Sequence, residues 1–178
     1  MLRIFVLFVL VLINFVVQSS IFPHLSILGV TPDTALIFIV SYGILRGDIE
    51  GAIFGLLTGL FHDMMGGEFI GIFALLGFLV GYLCGKPFKD FFKDNYFLPF
   101  AVVVIMTLFY QFFLYVTTML FVGQFDFWLY VRTIIIPKTI YTASLSIPVY
   151  SIMHFVNAKL EKYERDYRNV FKDKDDSI

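Results

Sequence analysis

Apolar residues fall into six runs separated by short polar breaks, and each run is a candidate helix. The runs cover about residues 2–20, 31–45, 49–62, 69–85, 96–122 and 131–156, followed by a charged tail, 157–178. The first is closed by Gln18, Ser19 and Ser20. It could serve as a cleaved signal segment, with Arg3 before an apolar stretch and small residues behind it. Against that, Asn14 and Gln18 lie four apart on one helical face, which favours a retained helix with its amides turned inward. Thr31-Pro32-Asp33 reads as a helix start, with Thr31 as N-cap and Pro32 in the first helical position. Arg46, Gly47 and Asp48 turn the chain between the second and third helices, and His62 to Glu68 forms a turn with Gly66-Gly67 as breaker. The second and third helices are short for a bilayer, and the fifth is long for one. Pro137 and Pro148 predict kinks in the sixth.

Composition makes these runs membrane spans. The 178 residues are 59% hydrophobic and 15% charged, with mean hydropathy +0.85. Soluble domains are about half apolar and about a quarter charged. The expected fold is an all-α polytopic bundle of about six transmembrane helices, with no separate soluble domain. Net charge is −1, which gives no reason to expect nucleic acid as a partner. The single Cys84 cannot form an internal disulfide or a zinc site. Eleven of the thirteen Lys and Arg, all but Arg132 and Lys138, fall in segments that alternate to one side. By the positive-inside rule both termini and Lys86 to Asn95 face the cytoplasm of a plasma membrane.

The sharpest motif is a glycine series. Gly43, Gly47, Gly51, Gly55 and Gly59 are spaced by four, and Gly77, Gly81 and Gly85 repeat the device in the fourth helix. Such a row is a groove that admits another backbone, either a neighbouring helix or a helix from a partner protein. Asp33, Arg46, Asp48, Glu50, Asp63 and Glu68 cluster around the second and third helices. Charges at membrane level are costly and are usually paired or functional. Lys138 stands about two turns into the sixth helix. It can snorkel outward, or pair with Asp33, Asp63 or Asp126. Thr139, Tyr141, Thr142, Ser144 and Ser146 suit a helix that is glued to its neighbours or lines a cavity. Lys86 to Asn95 interleaves lysine with phenylalanine, as in a segment lying on anionic lipid. In the tail, Leu160, Tyr163, Tyr167 and Val170 form an apolar stripe, and Glu161–Arg165 and Glu164–Arg168 have ion-pair spacing. His62-Asp63 has neither a nucleophile nor a second histidine at metal spacing. No catalytic residue, metal ligand or cofactor site is expected.

Several of these pieces occur together in one family. Gln18-Ser19-Ser20-Ile21-Phe22, Pro32-Asp33 and Gly43-Ile44-Leu45-Arg46-Gly47 come first. Gly51, Gly55, Gly59-Leu60-Phe61-His62-Asp63, Gly71, Gly77 to Gly85, Pro148 and Tyr150 follow. In order and spacing over nearly the whole chain, the sequence resembles MreD, the small membrane subunit of the bacterial rod-shape system. The basic, Phe-rich Lys86 to Asn95 segment is a departure from that pattern. The resemblance implies a non-enzymatic membrane protein of cell-wall elongation. Its expected partners are MreC and, indirectly, MreB, a glycan polymerase and a transpeptidase, with membrane lipid around it. It also implies a fold similar to the substrate-binding subunits of energy-coupling-factor transporters. A small-molecule-binding subunit of that kind is therefore the competing expectation. It requires a cavity with convergent polar groups, which short loops and close-packed glycines disfavour.

Overall fold

The computed structural model describes residues 2–21, 29–66, 71–85, 97–122 and 126–175, and all of its regular structure is helical. Helix α1 (Leu2–Val16) ends in a π-helical turn, Val17–Ile21. Then follow α2 (Thr34–Arg46), α3 (Asp48–Gly66), α4 (Ile72–Gly85) and α5 (Phe97–Val122). A short α6 (Phe127–Tyr130) leads through a second π-helical turn, Val131–Ile135, into α7 (Ile136–Asp175). By length and composition α5 can cross a bilayer over Pro99–Thr117. Val6–Ser20, Thr34–Arg46 and Ile72–Gly85 are shorter apolar helices. Lys86 to Asn95, Glu68 and residues 22–28 lie outside the described residues.

The most extensive helix pair is α3 with α4, and α2 packs across both. On its other side α2 meets α5 and α7, while α1 closes the bundle against α3. The centre is filled by Val11, Leu36, Val40, Phe54, Val80 and Val103 from five helices. The Tyr42 ring stacks on Phe54 at 4.6 Å between centroids, locking α2 to α3. The turn between these helices needs glycine. Gly47 has φ 104° and still donates its N–H to the Gly43 carbonyl at 2.8 Å. That φ is open to glycine and strained for residues with a Cβ.

Several boundaries differ from the sequence expectation. The N-cap of α2 is Asp33, not Thr31, because the Asp33 carboxylate reaches the Leu36 N–H at 3.0 Å. Helix α3 runs through His62 and Asp63 to Gly66, so these residues are helical rather than a turn. The sixth apolar run begins with the π-helical turn at Val131–Ile135. From Ile136 one helix of 40 residues continues through Pro148 into the charged tail. Pro137 stands directly after the π-helical turn, inside a helical backbone that runs unbroken from Phe127.

Candidate functional site

Two features gather the residues that the sequence marks out. The first is the glycine seam. A methyl built on Gly55 would strike the Gly77 carbonyl oxygen, and one on Gly77 would strike the Gly55 carbonyl. Gly51 and Gly81 face each other in the same way, Gly59 meets the backbone of Phe73 and Ala74, and Gly85 meets Gly47 and Asp48. At Gly43 a Cβ would lie 2.9 Å from the Gly81 oxygen. The groove is therefore filled by α4 and α2 of the same chain. A partner helix has no room in it, which corrects the alternative that the groove receives another protein.

The second feature is a buried polar node at the N-terminal end of α2. The Asp33 N–H donates to Thr142 Oγ1 at 3.1 Å, Oδ1 accepts from Leu36 N, and Oδ2 lies 3.7 Å from Lys138 Nζ. Lys138 thus meets Asp33 rather than Asp63 or Asp126. Next to this contact, Gln18 Oε1 accepts from the Thr34 N–H at 3.2 Å and from the Thr34 hydroxyl, and Gln18 Nε2 donates to the Pro32 carbonyl at 3.5 Å. One residue pair, Asp33-Thr34, so ties α2 to α7 and to the end of α1. Nothing in the sequence marked Gln18 as the partner of Thr34.

Asp63 has a separate task. It is 3% exposed, and its two oxygens accept from Phe73 N at 3.2 Å and Ala74 N at 3.0 Å. A carboxylate on α3 thereby satisfies the free amides and the positive end of α4. At the other end of the bundle, the Tyr42 hydroxyl donates to Glu50 Oε2 at 3.5 Å, and Asp48 Oδ1 accepts from the Ile49 N–H at 2.9 Å. The six charges taken as one cluster thus divide. Asp33 and Asp63 stand at one end, Arg46, Asp48 and Glu50 at the other, and Glu68 lies outside the description.

Arg46 lines a cleft with Tyr42, Leu45, Met153, Asn157 and Leu160 whose free volume is about 10 Å³. That is space for about one water. On α7, Thr139, Thr142 and Ser146 are buried, while Ser144 is exposed and returns its hydroxyl to the Ile140 carbonyl. Thr142 therefore joins α7 to α2, and Ser144, Ser146 and Ser151 return their hydroxyls to the α7 backbone.

The model of the family described as rod shape-determining protein MreD matches residues 1–158. The chain belongs to the MreD family. The MreD match covers the described helices α1 to α6 and α7 as far as residue 158, including both glycine rows, Asp33, Asp63 and Lys138. No curated protein and no solved structure matches the chain. The MreD assignment thus rests on the family match.

Proposed function

We propose that this MreD-family protein is a non-enzymatic membrane scaffold of the bacterial cell-wall elongation complex. In this reading it spans the plasma membrane about six times with both termini in the cytoplasm. It holds MreC directly and MreB, a glycan polymerase and a transpeptidase indirectly. The family match over residues 1–158 carries the proposal. The geometry supports a scaffold because a set of its buried polar side chains ties helices together. Asp33, Lys138, Thr142, Gln18 and Thr34 join three helices, and Asp63 joins two more. The competing small-molecule subunit, with its likeness to energy-coupling-factor transporters, needs a roomy polar cavity. The α3–α4 interface is closed backbone to backbone, and the Arg46 cleft admits about one water. The test is in-membrane crosslinking and copurification from native membranes. Recovery of MreC supports the scaffold. A copurified small molecule without MreC would replace it with the transporter reading.

A further inference from the structure

Helix α7 carries its bundle-facing stripe past the edge of the bundle. Met153, Val156 and Leu160, spaced three and four apart, line the Arg46 cleft together with Val6 and Leu10 of α1 and Tyr42 and Leu45 of α2. Met153 is 3% exposed and Leu160 9%. Tyr163, the next position of the same stripe, is 58% exposed. The helix runs on to Asp175, and its register places Tyr167 and Val170 in line with Tyr163. From Leu160 onward these positions keep the alternating three-four spacing of a coiled-coil core. The stripe is about 15 Å long from Leu160 to Val170, and Lys174 at its next position closes it.

The charges around this stripe are sorted by sign. The register gives the positions beside it to Glu164, Asp166 and Asp173, and those on the opposite side to Lys162, Arg165, Arg168 and Lys172. Lys159 also borders its start, but its ammonium lies over the Phe155 ring, 4.5 Å from the centroid. Laid on anionic lipid, the stripe would bring three acidic positions to the headgroups and hold the basic ones farthest from them. It also faces inward, since α1 and α2 cover its first members, so a helix seated on it lies beneath the bundle. A second copy, whose tail leaves a bundle of its own alongside, does not reach that space. We propose that the stripe around Tyr163 seats a basic amphipathic helix of a partner protein. Its apolar face continues the packing that α1 and α2 give to Leu160, and its Lys or Arg stand opposite the positions of Glu164, Asp166 and Asp173. This inference rests on the membrane-spanning scaffold reading. The assay below needs neither MreC nor a demonstrated crossing, so the two fail separately.

The test uses the full-length protein in phosphatidylcholine nanodiscs and two fluorescein-labelled peptides of three heptads each, with leucine at the core positions. One peptide has lysine at every flanking position and the other glutamate. By fluorescence anisotropy the lysine peptide is expected to bind several-fold more tightly, and to lose that advantage at high salt. Tyr163→Ser, at an exposed position, should weaken its binding several-fold. Exchanging Glu164→Lys, Asp166→Lys and Asp173→Lys together should turn the preference round to the glutamate peptide. Equal binding of the two peptides, binding of neither, or a preference unchanged in the triple variant overturns the proposal. In a Cys84→Ala background, a polarity-sensitive dye on Tyr163→Cys reports the other occupants. Its emission is expected to shift to the blue only when the lysine peptide is added. Emission already blue-shifted without peptide means that the chain itself covers the stripe. A shift that appears only with phosphatidylglycerol in the disc means that lipid does, and one that appears only in discs holding two copies means that a second copy does. Each of these three outcomes overturns the proposal.

Discussion

Asp33 makes three contacts with three different atoms: its N–H with Thr142, Oδ1 with Leu36 and Oδ2 with Lys138. Removing one member of a buried ion pair leaves the other uncompensated, at a cost of about 3–5 kcal/mol when burial is complete. Lys138 keeps 21% of its side chain exposed, so the low end of that range applies. Asp33→Lys is expected to reduce folded yield and thermal stability sharply, and adding Lys138→Asp should restore part of both. Recovery stays partial because an aspartate on α7 cannot cap α2. A double variant no better than the worse single, by thermal unfolding in detergent, would show that the pair contributes nothing. The possibility of this pair was legible in the sequence, since a lysine inside an apolar run needs a partner. Its geometry was not, because Thr31 and Asp33 both fit a helix start and the choice depends on which side chain reaches back to the helix.

Among the helices, the α3–α4 pair depends on carbonyls lying where side chains would be. Even Gly55→Ala puts a methyl on the Gly77 oxygen. Overpacking of this kind costs about 1–3 kcal/mol, and a membrane offers little hydrophobic force between helices to offset it. Gly55→Ala should therefore lower the unfolding temperature, whereas Leu56→Ala on the exposed face should leave it nearly unchanged. Equal effects at the two positions would refute the backbone contact. The cap on α4 gives a graded series. Asp63→Ala loses both acceptors and should cost about 1–2 kcal/mol, while Asp63→Asn keeps one and should fall between that variant and wild type. A reversed order in chemical unfolding would refute the cap. The spacing of four announced the glycine seam in the sequence. The Asp63 cap was hidden, because its recipients, Phe73 and Ala74, belong to the following helix.

For the whole molecule, the prediction concerns orientation. The proposed topology puts Lys162 in the cytoplasm and Asp126 outside; both are exposed. In a Cys84→Ala background, Asp126→Cys should react with an impermeant thiol reagent in intact cells, and Lys162→Cys only after lysis. The opposite pattern would invert the bundle. The basic asymmetry made this expectation available from sequence. The same reading separated the sixth apolar run from the tail, because composition changes abruptly near residue 157. The backbone does not follow that change: good helix formers carry α7 on to Asp175.

That continuity makes the end of α7 a lever. Leu160 is buried against the bundle beside Arg46, and Asp175 lies fifteen residues further along (175 − 160), about 22 Å away on a straight helix. A rotation of about 5° around Leu160 would carry the far tip about 2 Å sideways, given the rise per residue. Pro148 lies on the packed side of that fulcrum, where it supplies no N–H to the ladder. A push at the far tip is therefore borne first where Met153 and Leu160 meet Arg46, and reaches the Asp33–Lys138 contact only through the packed length of the helix.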